Sequence, residues 1–366
     1  MIKSIGFGLG MTNASSSPST SQSQIKPPVK ISDKDLEAKK EKFQNFLASP
    51  SVKMEELKKI CWNGIPDSFR AECWRLLLGY TPLVRERWES TISAKRQSYW
   101  SCVPLNLSEE YIETLHTDYE KTIFHQIHID VPRTNPSVKL FHLPLVQKAF
   151  ERILYLWAIR HPASGYVQGI NDLVTPFYAV FLRPFVTEPI ESLTDISHIE
   201  ESTLKDIEAD CYWCLTLFID SIQDHYTFAQ PGIQKMIFKL KELIKKIDDP
   251  LNTHLSEQKI EYIQFAFRWM NCLLMREFPL SIVIRIWDTY LSEDESFSIL
   301  HVYLCAAFLL KWSPEVKAQE FQDLMLFLQN LPTQNWTEQD IETLLSQAYV
   351  WKTLYNDSGH LKSNKV

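Results

Sequence analysis

Glycine is scarce in this sequence, which bears on the class of fold. Only nine of the 366 residues are glycine, and three of these lie within the first ten positions. An all-β fold needs glycine-containing turns between strands whose apolar and polar side chains alternate. The sequence shows no sustained alternation of that kind. Both absences argue against an all-β protein.

Long apolar runs are also missing. Residues 173–185 are apolar but short and hold two prolines, whereas a membrane-spanning helix needs roughly 18 apolar residues. The N-terminal stretch MIKSIGFGLG lacks the apolar core of a signal peptide. A net charge of −7 argues against nucleic acid or an anionic membrane as the main partner. We therefore expect a cytosolic protein whose contact with membranes is at most peripheral.

The cysteines follow no disulfide pattern. They are odd in number and irregularly spaced, at positions 61, 73, 102, 211, 214, 272 and 305. Several fall in apolar helical patterns, as buried free thiols do, and this usage indicates a reducing compartment. Cys211 and Cys214 have the spacing of a metal or redox pair, but there is no second pair, so we predict that both pack in the core.

The common signatures of nucleotide and metal sites are absent as well. The sequence contains no G-x-x-x-x-G-K-[ST], the motif of a phosphate-binding loop. His125 and His128 have no third ligand nearby in the sequence. We expect the chain to bind no metal ion and no cofactor of its own.

Helical periodicity extends over most of the chain. Pro66 and Asp67 mark the first turn of one helix and Gly79 its end. Apolar side chains recur at the spacing of a helical face in the segments 69–77, 146–157, 211–222, 260–274, 299–311 and 338–350. The acidic stretch at residues 184–210 is predicted to be a surface loop that leads into a helix at Ile207. The pattern predicts an all-α fold.

The chain divides near residue 51. Residues 11–29 are rich in Ser, Thr, Gln and Pro and have few groups to bury, which predicts disorder. Residues 31–48 are charged, and we predict a short helix with a thin apolar face. The prediction is an N-terminal segment over residues 1–50 and a single helical domain over residues 51–366.

Two polar clusters interrupt the apolar, helical pattern. The first is IHIDVPR at residues 127–133, where prolines on both sides restrict the backbone around Arg133. The second is SGYVQGIND at residues 164–172, where Gly165 and Gly169 let the backbone approach a partner closely. In an extended segment Tyr166 and Gln168 lie on the same face.

Arg133 and Gln168 have the chemistry to act on a phosphate together. A guanidinium is always charged and its planar donors fit phosphate oxygens, while a primary amide donates and accepts hydrogen bonds at once. Such a pair can stabilise a transferring phosphoryl group and orient the attacking water, two tasks that slow GTPases need. Taken alone, the residues favour a simpler interpretation: Arg133 forms a salt bridge with Asp130, and Gln168 is a satisfied loop amide.

Four short motifs in a fixed order change that balance. The pattern I-x-x-D-x-x-R is met at residues 127–133, and Y-x-Q is met at 166–168. One entry motif, GIP at 64–66 followed by WRLLLG at 74–79, precedes them, and IWD at 286–288 follows. In this order, across roughly residues 60–355, the sequence resembles the TBC-domain family of Rab GTPase-activating proteins.

The resemblance implies a fold and a mechanism. The helices would form two lobes in a V, with both clusters on its concave face. Arg133 would act as an arginine finger that counters charge on the β- and γ-phosphate oxygens of a GTP-bound Rab GTPase. Gln168 would act as a glutamine finger that orients the water in place of the GTPase's own switch glutamine, which Tyr166 would engage. GTP and Mg²⁺ would belong to the Rab, and the activity would serve Golgi-related vesicle traffic.

Further residues are expected to support these two. Asp130 could hold the guanidinium of Arg133 or cap the backbone that follows it. Asn171 and Asp172 are expected to shape the glutamine loop, with Asp172 paired to a nearby cation. Arg75, in the WRLLLG segment, supports either the fingers or the fold.

Two other interpretations concern different residues and different functions. Arg285 and Asp288 lie three apart on a predicted helix, where we predict a structural ion pair.

A domain of this fold that binds Rab-GTP without catalysis would be an effector or scaffold, although it would have no chemical reason to keep both fingers. An independent hydrolase that uses a cysteine or histidine would instead turn over a small ester or amide with no GTPase present.

Overall fold

A computed structural model describes residues 33–356 of this chain, except for 105, 106, 108–111, 114–116 and 295. The predicted disordered stretch at residues 11–29 lies outside the described residues. Within them the secondary structure is helical, and β-pairing is limited to one isolated bridge between Ser51 and Val84. The all-α prediction is confirmed.

The α-helices follow one another with short connections. In chain order, α1 to α16 are Asp33–Leu47, Met54–Cys61, Asp67–Leu77, Trp88–Trp100, Asp118–Asp130, Pro144–Arg160, Ile170–Leu182, Glu201–Asp220, Pro231–Ile247, Asp249–Glu257, Ile263–Asn271, Leu280–Leu291, Phe297–Lys311, Ser313–Lys317, Phe321–Gln329 and Glu338–Asn356.

Helix α1 extends the packed structure upstream of residue 51. Its Phe43 and Leu47 are buried, and the ring of Phe43 stacks on that of Phe69 in α3 with 6.0 Å between centroids. The apolar face of α1 is thin, as predicted, but its Phe43 and Leu47 side chains are buried against the rest of the protein. The boundary at residue 51 stays a prediction.

The helices pack as two lobes. Helices α2 to α8 pack mainly on one another, and so do α9 to α11 and α13 to α16. Helix α12 joins the two sets, because it contacts α2, α3 and α7 on one side and α13 and α16 on the other. Its position makes α12 the centre of the junction.

A buried carboxylate and an aromatic cluster hold that junction. Asp288 of α12 is fully buried and accepts hydrogen bonds from the Ile65 backbone N–H at 2.9 Å, from Trp74 Nε1 at 2.7 Å and from Arg70 Nε at 3.2 Å. The neighbouring Trp287 stacks on Phe218 of α8 at 4.4 Å. Burial raises the pKa of Asp288 above its ordinary value, and the charge of Arg70 opposes that rise.

The predicted ion pair between Arg285 and Asp288 is wrong in its partners. Asp288 pairs with Arg70 of α3, whereas Arg285 donates from Nη1 to Thr289 Oγ1 at 2.9 Å. Gly64 explains part of this arrangement. Its φ is +87°, and a Cβ there would lie 2.7 Å from Arg285 Nε, so only glycine lets the GIP segment pass this guanidinium.

Two helix predictions need correction. Helix α8 begins at Glu201 rather than at Ile207. The prediction was late because the first turns of the helix are polar and therefore show no apolar periodicity. In the segment 260–274, Ile263 and Phe267 are exposed, although their spacing suggested a buried face. Helix α11 ends at Asn271, and Leu273 and Leu274 take positive φ values, so the apolar spacing does not follow one continuous helix.

Removing the junction carboxylate should destabilise the protein strongly. We expect Asp288→Ala to lower the free energy of unfolding by about 3–5 kcal/mol, since Arg70, Trp74 and the Ile65 N–H all lose an acceptor inside the junction. Urea unfolding followed by tryptophan fluorescence measures this loss. The control is Asp294→Ala, whose carboxylate is exposed beside Lys58 and should cost less than about 1 kcal/mol. Equal losses in the two variants would contradict the assignment.

Candidate functional site

Arg133 is placed by the end of helix α5. The helix runs to Asp130, and Val131–Arg133 continues as a 3₁₀ turn with proline at its second position. Thr134, fully buried, donates from Oγ1 to the Asp130 carbonyl at 3.0 Å and closes the turn. The backbone is therefore fixed on both sides of Arg133, while 57% of its side chain stays exposed.

The Asp130 carboxylate joins the two polar clusters. One oxygen accepts from Arg133 Nε at 2.9 Å and also from its Nη2, and the other accepts from the Tyr166 hydroxyl at 2.8 Å. Burial, together with the negative charge of Asp130, raises the pKa of Tyr166 well above its ordinary value. The hydroxyl of Tyr166 thus stays protonated and acts as a permanent donor.

Asn171 adds a second bridge between the clusters. Its Nδ2 donates to Thr134 Oγ1 at 2.8 Å, and its Oδ1 accepts from the Gly169 backbone N–H at 3.0 Å and from the Tyr166 hydroxyl at 3.2 Å. Every polar atom of this buried amide has a partner, as buried polar groups require. These bonds join the segment that holds Gln168 to the segment that follows Arg133.

Gln168 has a fixed backbone and an exposed side chain. Its carbonyl accepts a hydrogen bond from Asn271 Nδ2 at 2.9 Å. The next residue, Gly169, has φ +110°, and a Cβ there would lie 2.3 Å from the same Nδ2. Glycine is therefore required for the loop to approach Asn271.

Arg133 and Gln168 line one surface groove. Its volume is about 380 Å³, and its walls also include Asp172 and Arg276. The structure thus brings together the two residues that the sequence analysis paired. A cation and an amide that face the same groove can contact neighbouring oxygens of one ligand.

Asp172 supports the groove through an ion pair. It is buried at the start of α7 and accepts from Arg276 Nε at 2.7 Å. Arg276 is the cation that the sequence analysis expected near Asp172. Burial raises the pKa of Asp172, and the charge of Arg276 opposes that rise.

Arg75 belongs to a different part of the molecule. Its guanidinium pairs with Asp210 of α8 at 2.6 Å and lies over the ring of Phe181 at 4.7 Å. Asp210 also accepts from Arg96 and from the Tyr80 hydroxyl. Because Arg75 is not among the residues that line the groove, its position favours support of the fold over direct support of the fingers.

The sequence analysis missed Thr134, Asn271 and Arg276. Each contacts a residue that was predicted, but Asn271 and Arg276 lie more than 100 positions from their partners. Both lie in the stretch FRWMNCLLMREF, whose apolar side chains are interrupted by Arg268, Asn271, Arg276 and Glu277. That interruption was the available signal, since a polar side chain in a buried segment needs a partner.

Buried thiols and imidazoles leave little support for an independent hydrolase. Six of the seven cysteines are buried, and Cys102 is exposed. Cys305 Sγ lies 3.5 Å from His301 Nε2, but both residues are fully buried on the same helix. Burial raises the pKa of Cys305 and lowers that of His301 to about 3. A nucleophile needs the thiolate and access to substrate, and this pair has neither.

The chain is similar to proteins of one family. A model of that family, described as the Rab-GTPase-TBC domain, matches residues 67–317. Human TBC1 domain family member 22B is 49% identical over 333 residues, which cover 91% of this chain and 64% of that protein. GTPase-activating protein gyp1 of Schizosaccharomyces pombe is 49% identical over 326 residues, or 88% of this chain and 62% of that protein. The chain thus spans less than two thirds of either relative.

A solved structure shows the same fold. The crystal structure of the Ypt/Rab-GAP domain of Gyp1p superposes with a TM-score of 0.81 at 45% sequence identity. The match covers 87% of this chain and 99% of that one.

The bond between Tyr166 and Asp130 should contribute measurably to stability. We expect Tyr166→Phe to lower the free energy of unfolding by about 1–3 kcal/mol, because the buried carboxylate loses a donor. Urea unfolding measures the loss. Tyr349→Phe, at a half-exposed position, is the control and should change stability little. If Tyr166→Phe were equally neutral, the bridge between the clusters would not be a stabilising one.

Loss of Arg276 should make stability depend more strongly on pH through Asp172. The folded-state pKa of Asp172 is raised, so its protonation favours the folded state and its contribution improves as the pH falls through that pKa. Arg276→Met raises this pKa further. We expect a loss of about 2 kcal/mol at pH 7, below the full value for a buried pair because 42% of the arginine side chain is exposed.

Urea unfolding at pH 7 and pH 5 separates charge from packing in this experiment. The deficit of Arg276→Met relative to wild type should shrink at pH 5. The double variant Arg276→Met/Asp172→Asn lacks the titrating carboxylate. Replacing Arg276 in this background should therefore cost the same free energy of unfolding at pH 7 and at pH 5. A deficit that is the same at both pH values would show that Arg276 stabilises the groove by packing alone.

Proposed function

Because the chain belongs to the Rab-GTPase-TBC domain family, we propose that it accelerates GTP hydrolysis by a Rab GTPase, to which it supplies Arg133 and Gln168. One observation carries the proposal. Both side chains face a single groove, while their backbones are held by the buried network of Asp130, Tyr166 and Asn171.

Arg133 supplies positive charge in this mechanism. Hydrolysis of GTP builds negative charge on the oxygens around the bond that breaks, and a guanidinium placed there lowers the barrier. The exposed side chain of Arg133 can leave Asp130 and enter a pocket on the partner. Its fixed backbone reduces the entropy lost when the two proteins bind.

Gln168 orients the attacking water. The oxygen of its side-chain amide can accept a hydrogen bond from the water while the NH₂ group donates one to a phosphate oxygen. Asn271 holds the backbone carbonyl of Gln168, so the side chain projects from a fixed base. Proximity of this kind is what positions a nucleophile.

In this mechanism the side chain of Tyr166 supports the positions of Asp130 and Asn171. Its hydroxyl is occupied by Asp130 and Asn171, and the residue is buried. The side chain is therefore committed to the chain's own network. Contact with the switch glutamine of the partner is left to the backbone of Tyr166.

The partner would be a Rab in its GTP-bound state, which brings GTP and Mg²⁺ with it. The resemblance to the family supports a peripheral location at Golgi membranes and a role in vesicle traffic. Among the helices of the described residues, none is long and apolar enough to cross a membrane.

The test is single-turnover hydrolysis by a panel of purified Rab GTPases loaded with GTP, with the 366-residue chain in catalytic amounts. Wild type should stimulate a few Rabs strongly. Arg133→Ala should lower the stimulated rate by about 10³-fold or more, and Gln168→Ala should lower it by at least about 10²-fold, because each removes a group that acts in the transition state.

The controls are an arginine and a glutamine outside the groove. Arg87→Ala and Gln347→Ala alter exposed residues and should leave the stimulated rate unchanged. Melting curves check that all variants fold. If a Rab binds wild type tightly in its GTP form but its hydrolysis is not accelerated, the chain is an effector or scaffold and the catalytic proposal fails.

A further inference from the structure

Phe228 is the most exposed large apolar side chain among the described residues. Its side chain is 96% accessible to solvent. It lies just before helix α9, in the sequence YTFAQPG. Scattered exposed apolar residues are ordinary on protein surfaces, so exposure alone assigns no role to Phe228.

Two hydrogen bonds and two left-handed residues define the turn that carries Phe228. Ala229 and Gln230 both have left-handed backbone conformations, with φ of 62° and 47°, which non-glycine residues seldom adopt. The Gln230 backbone N–H donates to the Thr227 carbonyl at 2.9 Å, and Gln234 Nε2 donates to the Ala229 carbonyl at 2.7 Å. Strained conformations of this kind persist only where the surrounding structure enforces them.

The same turn is joined to the loop of Gln168. Gln230 Nε2 donates to Asn271 Oδ1 at 3.3 Å, and Asn271 Nδ2 donates to the Gln168 carbonyl at 2.9 Å. On the other side of the turn, the Tyr226 hydroxyl donates to the Asn271 carbonyl at 2.7 Å. A single residue, Asn271, therefore stands between the base of the Phe228 turn and the base of the glutamine finger.

A protein bound at Gln168 would extend over this neighbourhood. A specific interface covers about 800 Å² on each partner, which corresponds to a patch roughly 30 Å across. The Phe228 turn is one side chain away from Gln168. Because the Phe228 turn and the Gln168 loop are bonded to the same side chain, both lie within the span of an interface of that size.

We infer that Phe228 is an anchor for the GTPase: its ring fits an apolar depression on the Rab surface beside the nucleotide pocket. The inference rests on the proposed function. Aromatic side chains that enter a partner's pocket contribute a large share of binding energy, and an ordered turn reduces the entropy cost of placing one. A hydrocarbon ring moves no proton and stabilises no charge, so Phe228 acts in binding and not in the chemical step.

Phe238 provides a matched comparison. It is also exposed, at 66%, but it lies two turns along α9 and lines a separate groove with Lys241, Lys259 and Ile263. Another residue of that groove, Gln234, bonds the Ala229 carbonyl of the Phe228 turn, and Phe238 lies about one helical turn beyond Gln234. Replacement of Phe238 therefore removes the same ring from a position farther along α9 than the turn that carries Phe228.

The experiment measures initial rates of hydrolysis at rising concentrations of the GTP-loaded Rab that wild type stimulates best. Phe228→Ala should raise KM about tenfold or more and leave kcat nearly unchanged, the pattern of lost binding without lost transition-state stabilisation. Phe228→Leu, which keeps an apolar side chain, should recover part of the loss. Phe238→Ala should match wild type.

A second measurement separates this inference from the proposed function. The dissociation constants of wild type and both alanine variants are measured against the Rab panel loaded with a non-hydrolysable GTP analogue. Weaker binding of Phe228→Ala alone supports the anchor even if no hydrolysis is stimulated. Stimulation by wild type, with KM and dissociation constant unchanged in Phe228→Ala, overturns the anchor while the proposed function stands. Absence of both binding and stimulation by wild type overturns the two together.

Discussion

The site depends on one buried carboxylate, Asp130. Asp130 is the last residue of helix α5, and its carboxylate orients the guanidinium of Arg133. The same carboxylate accepts a hydrogen bond from the hydroxyl of Tyr166, which lies 36 positions later in the chain. A carboxylate has enough lone pairs to serve both donors. Through this group the arginine and the loop of Gln168 have a fixed relation before any ligand is present. The bond from Asn171 to Thr134 is a second link between the same two segments.

Buried acids repeat this role at larger scale. Asp288 connects the segment before α3 with the junction helix α12. Asp172 pairs with Arg276 beside the groove. Asp210 of α8 pairs with one arginine from α3 and one from α4. Each joins segments that are remote in sequence. A buried charge is tolerated only with good partners, so these acids define how the helices meet. The result is a rigid frame for two exposed side chains.

Local patterns in the sequence indicated the all-α class, part of the helices and the two polar clusters. Helical spacing marked segments of α3, α6, α8, α11, α13 and α16. The stiff segment around Arg133 and the glycines around Gln168 stood out as polar interruptions. Long-range pairing was not readable. Asn271 reaches Gln168 from another helix, and Asp288 takes Arg70 rather than the arginine one turn away. Such choices depend on how helices cross, which spacing along one helix does not encode.

The contact between Arg133 and Asp130 has a consequence for selectivity among anions. At rest the guanidinium is already neutralised by its neighbour. A free phosphate or nucleotide diffusing past must compete with a carboxylate that is permanently attached and therefore present at high effective concentration. An anion with several oxygens that is itself held beside the groove competes better, because it can accept two hydrogen bonds from the guanidinium. Asp130, which positions the Arg133 side chain, therefore also lowers its affinity for free phosphate.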